Sequence, residues 1–234
     1  MQDRYVGDIG DFVKYSLLNC LADGQRLGVA WYLYPDEGHN ADGKHVDYLT
    51  APDEWRGRDP WVFDRLRTLV EQGRRSVADV ANSGCLKSAT FFDESLVCED
   101  AKYRTRASWR AEWFRRALAK LENCDLVFAD PDNGLLADAR FRMHNRKDWK
   151  SIPEAEARRL ARDRTSVIYH HNTRRKGGHA AEILYWMELL GAGFAVRSRY
   201  FSARTFFVVN PRKHMLENAR GWAEGFGDKI EIMV

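Results

Sequence analysis

The feature that most constrains the fold is a short apolar segment followed by acidic and turn-forming residues. Residues 126–129 are four consecutive hydrophobic residues, a pattern typical of a strand buried on both faces of a parallel sheet. Pro131 cannot donate to a sheet ladder, so it predicts that the strand ends at Asp130. Residues 132–134 then form either an ordinary polar turn or a binding site, because ligands of open α/β sheets bind at the carboxyl ends of strands. We favour the site, with four candidate catalytic residues: Asp130, Pro131, Asp132 and Asn133.

The rest of the chain alternates predicted strands and helices. Strands are expected over six segments: 27–34, 90–94, 126–129, 165–169, 194–201 and 205–210. Helices are expected between them, except between the last two, which form a hairpin. This alternation is typical of an α/β fold with a doubly wound, mostly parallel sheet and a C-terminal antiparallel hairpin. The length of 234 residues indicates one domain, 1–234, with a helical insert at about 46–88.

A glycine- and aspartate-rich segment near the start of the chain precedes a helix predicted over residues 12–21, with Asp11 as its N-cap. Such a segment is able to hold an anion on backbone N–H groups at a helix N-terminus. On composition alone, a capped amphipathic helix is the simpler interpretation. The candidate cofactor-binding residues of this segment are Gly7, Asp8, Asp11 and Lys14.

The loop after the first predicted strand is the most polar of the chain. Asp36, Glu37, His39 and His45 are candidates for binding a ribose or a metal ion, although their spacing matches no metal-binding signature. An exposed, solvated loop explains the same composition. Asp36 and Glu37 are retained as candidate cofactor-binding residues.

Two basic segments follow predicted strands at the same edge of the sheet. Residues 140–150 carry six cationic or histidine side chains around Trp149, and residues 170–179 carry three histidines and three cations. Arginine pairs bind phosphate well, and basic residues beside an aromatic ring suit nucleic acid. The predicted substrate-binding residues are His170, His171, Arg174, Arg175 and Lys176.

Composition narrows the class of protein. The net charge is only +3 and the mean hydropathy is −0.55, so neither a strongly basic protein nor a membrane-spanning one is expected. The four cysteines are far apart and show no C-x-x-C spacing, which favours reduced thiols and a cytoplasmic location. We expect no membrane partner.

Three short motifs, in order along the chain, resemble those of the bacterial large-subunit ribosomal RNA adenine methyltransferases that act on the exocyclic amine. Gly7, Asp11 and Lys14 match the opening motif of that family, with Asp8 replacing an asparagine. Asp130 and Pro131 match its D-P-P motif, while Asp132 and Asn133 replace the second proline and an aromatic residue. The segment 206–211 matches a strand that runs into N-P-P.

The resemblance implies a class I methyltransferase fold that uses S-adenosylmethionine to methylate the exocyclic amine of a nucleic-acid base, in RNA or DNA. Asp130 would then accept a hydrogen bond from the target amine. The alternative is a metal-dependent phosphodiesterase or nuclease, in which Asp36, Glu37, Asp130 and Asp132 bind Mg²⁺. A nucleic-acid-binding relative without catalytic activity is the third possibility.

Overall fold

The computed structural model describes residues 1–37, 43–97 and 103–234. The strands, numbered in chain order, are β1 Leu27–Trp31, β2 Ala89–Phe92, β3 Leu126–Asp130, β4 Gly134–Leu136, β5 Ser151–Pro153, β6 Thr165–His171, β7 Ala192–Ser198, β8 Arg204–Val209 and β9 Ile230–Met233. The helices are α1 Ile9–Ala22, α2 Pro52–Trp55, α3 Pro60–Glu71, α4 Val77–Ser83, α5 Arg106–Lys120, α6 Arg146–Trp149, α7 Glu154–Leu160, α8 Gly178–Leu190 and α9 Met215–Glu224.

Seven strands form one sheet in the order β2-β1-β3-β6-β8-β7-β9. The first four strands are mutually parallel, and β8 is antiparallel to both β6 and β7. Strand β9 then pairs antiparallel with β7 at the edge. The doubly wound, mostly parallel sheet with a C-terminal antiparallel hairpin is therefore confirmed. The strands β4 and β5 pair separately as a small parallel sheet that was not predicted.

Helices cover both faces of the sheet because the side chains of the central strands alternate between two cores. In β3, Leu126 and Phe128 belong to a core with α1, α3, α4 and α9, while Val127 and Ala129 belong to a second core with α5, α7 and α8. Two-sided burial explains why this strand is a continuous apolar run. The segment predicted as a helical insert contains α2, α3 and α4, and α3 packs against α1.

Three local predictions were wrong. The strand predicted over 27–34 ends at Trp31, because its partner β3 ends in register with it at Asp130. The N-cap of α1 is Asp8, whose carboxylate accepts the N–H of Gly10 at 2.8 Å, and Asp11 lies within the first turn. The hairpin strand predicted to reach residue 201 ends at Ser198, because Phe201 has a left-handed backbone with φ = +57° that a strand does not accommodate. The turn of the hairpin is therefore residues 199–203.

The topology places one edge of the sheet in the position expected for a ligand site. The chain adds β2 on one side of β1 and then crosses to β3 on the other side, so the strand order reverses between β1 and β3. Trp31 and Asp130, the last residues of these two strands, are in register. None of the helices in the described ranges has the length and apolar character needed to cross a bilayer.

Candidate active site

A cavity of about 370 Å³ lies at this edge of the sheet. The carboxyl ends of β3 and β6, the start of β8 and the first turn of α1 converge on it. Its volume is within the usual range for small-molecule sites. The lining includes carboxylates, cations and aromatic rings together, among them Asp8, Asp130, Lys14, Arg204, Tyr169 and Phe201.

The centre of the site is a buried cluster of two carboxylates and one lysine. The Nζ of Lys14 lies 2.7 Å from Oδ1 of Asp11 and 2.7 Å from Oδ2 of Asp130. The three side chains are each at least 94% buried. Two of the predicted site segments, 116 residues apart in sequence, therefore meet in one ion cluster.

The pKa values in this cluster follow from its burial and from the charges of its members. Burial alone would lower the pKa of Lys14, but the charges and hydrogen bonds of Asp11 and Asp130 raise it above the ordinary value of 10.5, so the side chain stays cationic. Burial raises the pKa of Asp11, and the nearby Lys14 opposes that shift. The buried N-terminal amino group of Met1 also donates to the Asp130 carbonyl at 3.1 Å, so two amino groups lie beside the two carboxyl groups. The carboxylate oxygens are hydrogen-bond acceptors suited to an N–H-donating ligand.

The N-terminus of α1 forms the wall beside this cluster. Asp8 caps the helix, and its Oδ1 also lies 3.3 Å from Nη2 of Arg204 in β8. Gly10 lets the guanidinium approach the first turn, since a Cβ there would lie 2.4 Å from Cζ of Arg204. Gly7 has φ = +84°, and its N–H donates to Oδ2 of Asp11 at 3.3 Å. All four predicted residues of this segment are thus in or beside the site.

The segment after Asp130 leaves the sheet as a supported turn. Oδ2 of Asp132 accepts a 2.6 Å hydrogen bond from Nε2 of Gln2, and Nζ of Lys150 lies 3.8 Å away. The side-chain amide of Asn133 points the other way and donates to the Lys147 carbonyl. Asp130, Pro131 and Asp132 line the cavity, whereas Asn133 does not.

Gly134 allows this turn to pack against β6. Its φ is +82°, and a Cβ would lie 2.6 Å from Nδ1 of His170 and 2.7 Å from the backbone of both His170 and His171. The next residue, Leu135, donates its N–H to Nδ1 of His170 at 3.0 Å. The close packing fixes the position of the turn relative to the end of β6.

The two adjacent histidines have different environments. His170 is 99% buried, with Nε2 3.3 Å from Oε1 of Glu182 in α8. Burial alone would raise the pKa of Glu182, but hydrogen bonds from His170 and Thr173 lower it to about 2. His171 is exposed and lines the cavity. His170 therefore holds the site loop in place, and His171 is the member of the pair that a ligand is able to contact.

The remaining predicted basic residues lie away from the cavity lining. Arg174, Arg175 and Lys176 are exposed after β6, and the guanidinium of Arg175 stacks on Tyr185 at 3.7 Å. The basic segment 140–150 is largely exposed near α6. These residues suit a surface that contacts an extended phosphate backbone better than a small enclosed ligand.

In the described part of the loop after β1, Asp36 and Glu37 lie outside the cavity lining, whereas Gly43 and His45 belong to it. Asp36 accepts a hydrogen bond from the backbone N–H of Arg4, and Glu37 pairs with Lys150. His39 lies outside the described residues. Within residues 1–37, 43–97 and 103–234, no group of three or more His, Cys, Asp and Glu side chains is arranged to hold a metal ion.

Sequence reasoning included His45 but missed several other residues of the cavity wall, which are Tyr5, Tyr169, Phe201, Ser202 and Arg204. Arg204 in β8 pairs in register with His171 in β6. Pairing the predicted hairpin with the strand that leads to His171 would therefore have indicated Arg204. Tyr169 was assigned to a buried strand, and burial raises its pKa to about 12. Phe201 gave no signal because it was assigned to a strand.

No family model matches the chain, and a search of curated proteins also found no match. The functional argument therefore depends on the geometry and chemistry of the cavity.

Proposed function

We propose that this protein is an S-adenosylmethionine-dependent methyltransferase that acts on the exocyclic amine of a nucleic-acid base. The observation that carries the proposal is Asp130, a carboxylate at the end of the central strand that is paired with Lys14 and faces a cavity with aromatic walls. A carboxylate at this position is able to accept a hydrogen bond from an amine N–H and direct the nitrogen lone pair toward an electrophile.

The side chains of the cavity are chemically suited to the proposed cofactor. When bound, S-adenosylmethionine supplies an electrophilic methyl group on a sulfonium cation. Its cationic groups suit the carboxylates of Asp8 and Asp11, and its carboxylate suits Arg204 beside the N-terminus of α1. Asp36 and Glu37 are engaged with other parts of the chain, so we assign cofactor binding to Gly7, Asp8, Asp11 and Lys14.

The residues of the chain divide the work of the reaction. Asp130 orients the amine and takes up the hydrogen bond that strengthens as the nitrogen becomes positive, while Lys14 keeps the buried carboxylate fixed. Pro131 limits the motion of the turn that follows. The exposed Arg174 and Arg175 provide positive charge for substrate phosphates, and His171 at the cavity is able to hydrogen-bond to them.

The alternative of a Mg²⁺-dependent phosphodiesterase is less well supported. Its four proposed ligands include Glu37, which pairs with Lys150, and Asp36, which accepts from Arg4. Asp130 is already paired with Lys14. Binding of a divalent cation would therefore require these pairs to be broken, whereas the methyltransferase proposal uses them as they are.

The test is a titration of S-adenosylhomocysteine by calorimetry, followed by transfer of a labelled methyl group from S-adenosylmethionine to single-stranded RNA and DNA. We expect saturable binding. At 100 times Kd, about 2.7 kcal/mol of added stability should raise Tm by about 5–10 °C. A folded protein with no binding at millimolar ligand would contradict the proposal. Cofactor binding without methyl transfer to either nucleic acid would contradict the assigned substrate.

A further inference from the structure

Phe201 is the most exposed aromatic side chain at the cavity. It lies on the turn between β7 and β8 and is 71% exposed, although a phenylalanine is usually buried. Only four large hydrophobic residues of the described ranges are strongly exposed, and the others, Trp61, Leu184 and Val234, do not line this cavity. A single exposed apolar residue is common on protein surfaces, so the position of Phe201 at the cavity is what distinguishes it from the other three.

The backbone of Phe201 is also unusual. Its φ of +57° lies in the left-handed region, which costs a bulky residue about 1–2 kcal/mol. In the described part of the chain, the other non-glycine residues with positive φ are Asp23, Ser88, Asp163 and Asn210, which are small or locally hydrogen-bonding types. A strained bulky residue at a cavity is a reason to look for function.

Contacts on both sides of Phe201 hold the turn in this conformation. The hydroxyl of Tyr200 donates to the Phe226 carbonyl at 2.8 Å, and its ring packs on Trp55 at 5.3 Å. The Ala203 carbonyl accepts the N–H of Asn172 at 3.1 Å. Neighbouring residues therefore hold the turn in place, and the exposed ring of Phe201 adds little packing to it.

His45 supports one face of the ring. The two ring centroids are 4.1 Å apart and the planes differ by 16°, so the rings are stacked. Because 71% of Phe201 remains exposed although His45 covers one face, the opposite face is open to solvent. The pair therefore presents a flat, supported apolar surface at the rim of a cavity whose floor contains Asp130.

We propose that Phe201, supported by His45, is the stacking platform for an unpaired base of a single-stranded nucleic acid. This inference rests on the proposed function and names the residue that holds the substrate base. Aromatic stacking recognises the planar face that every base has, and the carboxylate of Asp130 recognises an amine at its edge. Arg204, two residues beyond Ser202 at the same wall, adds positive charge beside the platform.

A base of the substrate strand is the occupant favoured by position. The open ring lies on an exposed turn, where a strand carrying its phosphates is able to approach from solvent. The carboxylates suited to the cationic groups of the cofactor, Asp8 and Asp11, are instead buried at the N-terminus of α1. The adenine of the cofactor is the competing occupant and becomes one outcome of the test.

The experiment uses a short single-stranded oligonucleotide that contains one 2-aminopurine, whose fluorescence falls when it stacks on an aromatic ring. We expect quenching by the wild-type protein. Phe201→Gly should weaken binding by about 5- to 140-fold, which corresponds to ~1–3 kcal/mol of stacking. Phe201→Tyr keeps an aromatic ring and should bind like the wild type. The matched control is Leu184→Ala, which removes an exposed apolar side chain outside the cavity.

A stability measurement separates binding from a structural role. Glycine accepts the positive φ of position 201, so Phe201→Gly should keep its Tm within about 4 °C of wild type. Unchanged affinity in Phe201→Gly would overturn the proposal. If added S-adenosylhomocysteine reversed the quenching, the proposal would also be overturned, because the ring would then hold the cofactor. Quenching that depends on Phe201 in a protein that binds no cofactor would support the platform and contradict the methyltransferase.

Discussion

An aspartate lies at each end of strand β3, and the two aspartates differ in their burial and in their ion-pair partners. Asp125, just before the strand, forms a 2.9 Å ion pair with Arg26, and the two side chains are 28% and 65% exposed. Asp130, the last residue of the strand, shares Lys14 with Asp11, and all three are nearly fully buried. A surface pair contributes little to stability, whereas a buried cluster is sensitive to the loss of any member.

Each end also opens on a cavity. The one beside Asp125 is more open and is lined by four arginines with three acidic residues, so its charges are nearly balanced at the surface. The cavity at Asp130 also carries nearly balanced charges, but Lys14, Asp11 and Asp130 are buried and its walls are aromatic. The comparison teaches that burial, more than the number or balance of charged residues, distinguishes a candidate active site from an exposed salt-bridge cluster.

The largest expected effect comes from removing the shared cation. Lys14→Met leaves two buried carboxyl groups without compensation and should destabilise the protein by about 3–5 kcal/mol, which lowers Tm by about 6–20 °C. Thermal and urea unfolding followed by circular dichroism will measure this. At the other end of the strand, Arg26→Met should change the stability little, because the pair is at the surface.

A neutral cluster provides the control for this prediction. The triple variant Lys14→Met, Asp11→Asn, Asp130→Asn removes the uncompensated charge and should recover most of the stability lost in Lys14→Met. If Lys14→Met and Arg26→Met were equally stable, the two ends of the strand would not differ in the way described.

A smaller effect should appear in acid. Hydrogen bonds from His170 and Thr173 lower the pKa of Glu182 to about 2 against the opposing effect of burial. Because this folded-state pKa lies below the ordinary value of 4.5, the stabilisation is fully present above about pH 4.5 and is lost as the pH falls toward 2. Glu182→Gln should remove this pH dependence, of which about 2 kcal/mol falls between pH 6 and 3, measured by urea unfolding over that range.

The same measurement at high salt separates the contribution of Glu182 from that of Asp125. Hydrogen bonds and the charge of Arg26 also lower the pKa of Asp125 to about 2, but this pair is at the surface. At 1 M NaCl the Debye length is about 3 Å, so the contribution of Asp125 to the acid dependence should be largely screened and that of Glu182 largely retained. Equal salt sensitivity of Glu182→Gln and Asp125→Asn would contradict the buried role of Glu182.

Much of the fold was predictable because it depends on local patterns. The apolar run before Asp130 and the start of the strand at residue 165 appear at their expected places. The N-cap of α1 was misassigned because Asp8 and Asp11 are chemically equivalent caps, and only the backbone conformation distinguishes them.

The site was predictable as a set of segments and not as a set of contacts. The sequence indicated Asp130 and Lys14 separately, but their 2.7 Å pairing joins residues 116 apart and depends on tertiary packing. His170 and His171 are adjacent and chemically identical, yet one is buried against Glu182 and the other faces the cavity. Phe201 was hidden because its exposure results from a left-handed turn that residue type does not favour.

The most direct test of the account is to compare methyl transfer by Asp130→Asn and Asp125→Asn, which make the same chemical change at the two ends of β3. We predict that Asp130→Asn lowers the transfer rate by about 100-fold or more, with S-adenosylhomocysteine affinity and folding retained, while Asp125→Asn transfers at the wild-type rate. Equal rates in the two variants, with both folded, would show that Asp130 does not act in the reaction and would contradict the account.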